Sequence, residues 1–277
     1  DLDRDRRLRR DVARAMDGQT GIECFDAWAT ELVDTGYLHN HTRMWFASIW
    51  IFTLGLPWRL GADFFYRHLL DGDAASNTLG WRWVAGLHTR GKPYLADARN
   101  IATFTAGRFA PRPSDLAEVT QGLEASEPDG LPSVLPLRAI RPPEPGRATA
   151  LLITDEDCRV EDFGLAGYDI LTVATLSTSH LRSPLPVADM VAHFEADALA
   201  DAALRVGASP VPLHAADPAA LAKWAADAGA TQIATPYITC GPLKDWLDDA
   251  APSLAAQGIH FCEWRRDWDS AIWPHAT

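Results

Sequence analysis

Apolar positions in the first 85 residues recur at helical spacing. Between residues 21 and 33, Ile22, Phe25, Ala29, Leu32 and Val33 fall on one face of a 3.6-residue period, and Gly36 closes that helix. Residues 42–55 predict an apolar helix with Met44, Trp45, Ile49 and Phe52 in one stripe. Pro57 suits the first turn of the next helix, residues 58–70, which Gly72 stops. Ser76 or Asn77 is expected to cap a short helix running through Ala85. The opening residues 2–17, where Arg4, Arg6, Arg7, Arg9, Arg10 and Arg14 alternate with aspartates, read as a solvated helix face. No stretch alternates with the two-residue period of a strand, so residues 1–110 are expected to form an all-helical domain.

The pattern changes twice. Residues 111–147 hold eight prolines and few apolar runs, which predicts a Pro-rich linker or an extended wrap over the surface. From residue 148 onward, short apolar runs at 150–154, 169–173, 209–213, 231–235 and 259–263 read as strands. They alternate with helical stretches at 187–206, 218–228 and 242–257; Asp217 caps the second, with Pro218 in its first turn. Alternation of this kind predicts a doubly wound, Rossmann-like α/β domain over residues 148–277. The expected fold is therefore multidomain, an all-α helical domain followed by a smaller α/β one.

Composition narrows the class. The 277 residues are 47% hydrophobic and 22% charged, an ordinary globular mix that excludes a mainly disordered chain. The longest nearly uncharged apolar stretch, residues 44–56, falls short of the roughly 20 residues that span a bilayer, so no membrane partner is expected. Cys24, Cys158, Cys240 and Cys262 are scattered, without a CxxC pair, which suits a reducing cytoplasm and argues against a zinc or iron–sulfur site. His39 and His41, two apart, do not share a helix face, so no metal pair is expected there. Net charge is −12, with 14 Arg/Lys against 13 Asp/Glu in residues 1–110 and 11 against 24 in residues 111–277. The acidic second part repels phosphates, so a nucleic acid would have to meet residues 1–110. No GxGxxG, P-loop or GxSxG motif occurs. The chain opens at Asp1 inside a charged helical segment, as a piece of a longer protein would.

Three motifs carry the chemistry. They are Thr35-Gly-Tyr-Leu-His-Asn-His-Thr-Arg-Met44, Leu56-Pro-Trp-Arg-Leu-Gly-Ala-Asp-Phe-Phe65 and Leu70-Asp-Gly-Asp-Ala-Ala-Ser-Asn-Thr-Leu-Gly-Trp-Arg-Trp83. Alone, an Asp-Gly-Asp is a turn and an Arg near an Asp is an ion pair. In this order and spacing the three together resemble the FAD-binding helical domain of the DNA photolyase and cryptochrome family, over residues 20–94. The resemblance implies FAD as cofactor. It implies that Asp73 accepts the flavin N3–H, that Asp71 pairs with Arg43 while Arg43 faces the flavin, that Gly72 sits between them, and that Asn77 lies beside flavin N5. Asn40 takes the position near adenine and substrate. Trp81 and Trp58 match the inner and middle members of a tryptophan relay that feeds electrons to excited flavin. The outer position falls near residue 5, where Asp and Arg stand, so Trp28, Trp45 or Trp50 is a candidate substitute. Met44 and Trp83 match positions that wall a flipped-out lesion, with His41 beside them where the family carries Arg.

Departures from the family pattern are specific. Tyr37 replaces the usual Trp, Thr78-Leu79 replaces Asn-Gly, and Leu87-His88 replaces a run of small residues. The front half of the family's flavin domain, with its Thr/Ser-rich phosphate loop, has no counterpart; residues 176–184 match its composition only by chance. The α/β part loosely resembles the family's antenna domain, in permuted order, and no antenna pigment can be assigned. The cluster of Trp264, Trp268 and Trp273 with Arg265 and Arg266 is expected to pack against another surface. The implied function is light-driven electron transfer from flavin to a pyrimidine dimer in UV-damaged DNA, held by residues 1–110. The alternative is a cryptochrome-like photoreceptor whose partner is a signalling protein.

Overall fold

The computed structural model describes residues 5–119, 121–130, 133 and 135–275, so Arg4 of the predicted opening helix lies outside the described residues. The chain divides into two units, Asp1–Ser133 with Leu185–Val191, and Val134–Pro184 with Ala192–Thr277.

The described residues of the first unit form helices and no strand. Helix α1 (Arg6–Met16) starts at Asp5, whose carboxylate accepts from the backbone N–H of Arg7 and Leu8 at 2.9 Å each. Helix α2 (Glu23–Thr35) ends at Gly36, with φ of 66°, a left-handed cap that favours glycine. Helix α3 (Asn40–Ser48) starts two residues before the expected 42 and gives way at Ile49–Thr53 to a single π-type turn. Helix α4 (Trp58–His68) follows Pro57, as predicted. Helix α5 (Ala74–Val84) corrects the sequence expectation: Asp73 is its N-cap, accepting from Ser76 N–H at 2.6 Å, so Ser76 and Asn77 lie inside the helix. Helix α6 (Ala98–Phe104), capped by Asp97, was not expected. The core is aromatic, with Phe25, Phe46, Trp50, Phe64 and Phe65 all at 2% exposure or less. The described residues of 111–130 lie along this unit rather than hanging free. Thr53 Oγ1 accepts from Ala117 N–H at 3.1 Å, and Glu127 pairs with Arg82 at 2.8 Å.

The second unit is a parallel sheet between helices. Its elements are β1 (Ala148–Ile153), β2 (Asp169–Ser177), α7 (Asp189–Arg205), β3 (Val211–His214), α8 (Pro218–Asp227), β4 (Gln232–Pro236), α9 (Pro242–Ala256), β5 (His260–Trp264) and α10 (Asp267–Ile272). The first residues of α7 fall in the first unit. Strand order is β3-β2-β1-β4-β5, every pair parallel. Each sheet face buries its own apolar layer. Ala150, Leu152 and Ile233 pack with Leu221 of α8 and Leu247 of α9, and Leu151, Ile153 and Ala234 pack with Leu199 and Ala203 of α7. The chain before β1 is pinned to this sheet: Arg138 pairs with Glu263 at 2.6 Å, and Gln232 Nε2 donates to the Glu144 carbonyl at 2.9 Å. Trp264 corrects one expectation. It is 8% exposed and packs inside this unit on Phe163 and Tyr168, while Arg266 pairs with Asp157 and Asp162. Trp268 stays 60% exposed. Among the described residues no helix is long and apolar enough to cross a membrane, and no group of three or more metal-ligating side chains occurs.

Candidate functional site

Two helical stripes face each other across a hollow of 240 Å³ in the first unit. Helix α3 presents Asn40, Arg43, Met44 and Ala47, and α5 with its cap presents Asp73, Ser76, Asn77, Gly80, Trp81 and Val84. Both sets follow the spacing i, i+3, i+4, i+7, which puts residues on one helix face. The turn Asp71-Gly72 closes one end, and Phe65 with Leu69 forms apolar wall.

The rim is charged and only partly satisfied. Arg43 donates through Nε to the Leu38 carbonyl at 2.8 Å and through Nη2 to both Asp71 oxygens at 2.9 and 3.0 Å. Its Nη1 makes no hydrogen bond among the described residues, and Asp73 has used one oxygen on its own helix. Asn77 donates from Nδ2 to the Ala62 carbonyl at 2.8 Å, which turns its amide so that Oδ1 remains an acceptor. The Trp81 indole is 2% exposed, and its N–H is buried without an acceptor among the described residues. A buried unpaired donor costs about 1–3 kcal/mol, and at the wall of a hollow it marks a place where a ligand can accept.

Nine of the sequence-predicted residues therefore line one hollow: Asn40, Arg43, Met44, Asp71, Gly72, Asp73, Asn77, Trp81 and Trp83. Two do not. His41 faces away, stacked on Trp45 at 5.6 Å and against Phe104 at 5.1 Å. Trp58 is half-buried outside the lining, with the Arg59 and Arg82 guanidinium carbons 5.5 and 5.7 Å from its ring. Trp83, 39% exposed, stacks on Tyr94 at 5.3 Å, and burial raises the Tyr94 hydroxyl above its ordinary pKa. Sequence reading missed Ala47, Phe65, Leu69, Ser76, Gly80 and Val84. Extending the α3 stripe by one turn from Arg43 finds Ala47, and extending the α5 stripe by one and two turns from Asn77 finds Gly80 and Val84.

The residues present suit the ring portion of a flavin. The walls are apolar and aromatic, one end carries a carboxylate and a guanidinium that match an imide edge, and an amide oxygen and an indole N–H stand ready along the side. At 240 Å³ the hollow is smaller than the roughly 300–1,000 Å³ that encloses a whole drug-sized ligand, so it takes a ring system and leaves a dinucleotide tail outside.

Comparison with known proteins agrees with this geometry. Residues 2–109 match the family model described as the FAD binding domain of DNA photolyase. The deoxyribodipyrimidine photo-lyase of Salmonella typhimurium is 43% identical over 78 residues, 28% of this chain and 16% of that protein. That of Escherichia coli is 41% identical over 80 residues, 29% and 17% of the two chains. Cryptochrome DASH of Natronomonas pharaonis is 40% identical over 102 residues, 37% and 21%. The matches thus span about a sixth to a fifth of these relatives' length. No solved structure gives a significant match. Over residues 2–109, then, the chain is similar to the FAD-binding domain of the DNA photolyase and cryptochrome family.

Proposed function

We propose that this protein is a DNA photolyase-like enzyme. When bound and light-excited, FAD would supply the electron that splits a pyrimidine dimer. The observation that carries this reading is the convergence of nine motif residues on one hollow. Asp73 offers its unused oxygen to the N3–H of the ring. Arg43, held by Asp71 and the Leu38 carbonyl, directs Nη1 as a donor toward the pyrimidine edge. Asn77 presents Oδ1 to N5, an acceptor that is a poor proton donor and so favours the reduced ring without protonating it further. Trp81 closes the wall of the hollow and would be the nearest indole to a bound flavin, with Trp58 outside the lining. Met44 and Trp83 give flat apolar walls for an extruded base, and Asn40 stands beside them. Damaged DNA would meet residues 1–110, where charge is near balance rather than strongly negative. The parallel order β3-β2-β1-β4-β5 supports a Rossmann-like, antenna-like role for the second unit. The four free cysteines suit a cytoplasmic setting.

The second reading, a cryptochrome-like photoreceptor without repair, draws on the cryptochrome DASH likeness and on the acidic residues 111–277, which suit a protein partner better than DNA. Purified protein supplied with FAD is expected to retain it and show oxidised-flavin absorption bands; no retention refutes both readings. Blue-light repair of a dimer-containing oligonucleotide then separates them, since a flavin-loaded protein that leaves the dimer intact is the photoreceptor.

A further inference from the structure

We infer that Gly80 is a specificity-determining residue that keeps clear the strip of α5 on which the flavin ring lies, an inference that rests on the flavin reading above. Among the described helices of the first unit, two hold a glycine, Gly61 in α4 and Gly80 in α5. Glycine inside a helix weakens it relative to alanine, so each position calls for a physical reason. Gly61 has one in the packing. A Cβ placed there would lie 2.2 Å from Trp81 Cη2 and 3.0 Å from Trp50 Cε2. Gly80 has no reason of that kind. A Cβ placed on it meets no atom of the described residues within 4 Å beyond its own helix. Its φ lies outside the left-handed range, so alanine suits the backbone equally well. The position gives up helix stability for no contact within the protein.

Its place on the helix says what the bare backbone serves. Gly80 is exposed and lines the hollow. At 100° per residue, Ser76 and Trp83 lie on one flank of Gly80 and Val84 and Asn77 on the other, each within about 60° of it, with Trp81 next beyond Asn77. All five line the same hollow, so an occupant touched from both flanks lies across Gly80. Helix α3 brings the equally short Ala47 to that lining. Between a bare backbone and an alanine methyl the hollow is a slot, the shape that a flat fused ring fills. Without a Cβ at position 80 the ring rests directly on the α5 backbone, within reach of the Asn77 amide and the Trp81 indole. A methyl group there would stand in the middle of the slot and lift the ring away from both.

The test uses the full chain as parent, Gly80→Ala, Gly80→Val and Thr78→Ala. Thr78 is exposed on the opposite face of α5, outside the lining. Each protein is measured twice, as the thermal unfolding midpoint without flavin and as the Kd for FAD from a fluorescence titration. The parent is titrated first. If it does not bind FAD, the flavin reading falls and takes this inference with it, whereas the outcomes below bear on Gly80 alone. Gly80→Ala is expected to unfold about 2–4 °C higher than the parent. It is also expected to bind FAD about 5- to 150-fold more weakly, the effect of one extra methyl group in a filled site. Gly80→Val should bind more weakly still. Thr78→Ala also improves the helix, so it should raise the midpoint but leave the Kd at the parent value, which removes stiffening of α5 as the cause. A lower midpoint or a failure to fold in Gly80→Ala means that the glycine serves packing, and overturns the proposal. An unchanged Kd in Gly80→Ala overturns it too. Joined to weaker binding of a dimer-containing oligonucleotide, that unchanged Kd gives the clear strip to the extruded base instead of the flavin.

Discussion

The two units treat their carboxylates differently. In the α/β unit, Glu195 is 3% exposed and accepts from Thr178 N–H at 2.5 Å, Ser179 N–H at 3.0 Å and Ser179 Oγ at 2.6 Å. Glu263, 4% exposed, is gripped by Arg138 at 2.6 and 2.7 Å and by Ile238 N–H at 2.9 Å. Both acids are saturated by their own chain and hold loops to the sheet. In the helical unit, Asp71 and Asp73 stand exposed at the rim of a hollow, one shared with Arg43 and the other half used by its helix. A carboxylate completed from within is structural, and one left incomplete beside an unpaired indole N–H is where a ligand completes the set.

The largest expected effect tests the saturated side. Arg138→Ala leaves Glu263 buried without its cation. Breaking such a pair costs about 3–5 kcal/mol, and partial exposure of Arg138 places the loss near the low end. Chemical denaturation followed through α/β-unit probes should show this loss while FAD uptake stays at the parent level. A loss of uptake of equal size would erase the distinction between the units.

Next comes Gly61→Ala, which forces a methyl group into the seam between Trp81 and Trp50. Overpacking of this kind costs about 1–3 kcal/mol, and here it should also displace Trp81 from the hollow. Lower thermal stability together with weaker FAD retention is the expected pair of results, and Gly61→Ala with parent-like retention would separate the core from the site.

Asp73→Ala comes third. It removes the α5 cap, about 1 kcal/mol of stability, together with the proposed N3–H acceptor. Asp73→Asn keeps a good cap and a neutral acceptor. The expected order of FAD retention is parent, then Asn, then Ala, measured on refolded protein of matched helicity. Equal retention in all three removes Asp73 from the site.

Much of this was legible in sequence where local chemistry speaks plainly. Gly36 and Pro57 bracket helices whose apolar stripes are long enough to read, although α4 ends at His68 with an extended Leu69 rather than running to Gly72, and Asp217-Pro218 announces α8. Helices α6 and α10, of seven and six residues, carry too few turns to show a period. The start of α5 was misplaced because Asp73 does two things, capping the helix and facing the hollow, and the motif emphasised only the second. Within the site, residues on the α3 and α5 stripes converge, while His41 lies one position past Asn40 and so turns about 100° away from the stripe. Trp58 shares a helix face with Phe65 but sits two turns away, about 10 Å along α4, which takes it out of the hollow. The saturation of Glu195 and Glu263 was invisible, since their partners lie 16–17 residues and 25 or more residues away in the chain.

The smallest effect probes Asp155, a half-buried acid of the α/β unit that is not saturated. Burial, and then the nearby Glu195, lift the Asp155 carboxyl above its ordinary pKa; the Thr178 hydroxyl at 2.9 Å and Arg182 at 3.9 Å pull the other way. Thr178 has a single hydroxyl hydrogen and two carboxylate neighbours, since Glu195 also lies 3.0 Å from its oxygen, so it cannot serve both at once. The folded chain therefore binds a proton at Asp155 more tightly than the unfolded chain does. By linkage, stability falls as pH rises from about 4, the unfolded value, through the raised folded value, and the loss is complete above it. Asp155→Asn is neutral throughout and can donate to Glu195 or accept from Thr178. It should raise the unfolding temperature slightly at neutral pH and flatten that part of the pH profile, with little change under acid conditions. A variant that keeps the parent's slope would show that Asp155 is as fully compensated as Glu195, and the contrast between the units would then rest on the hollow alone.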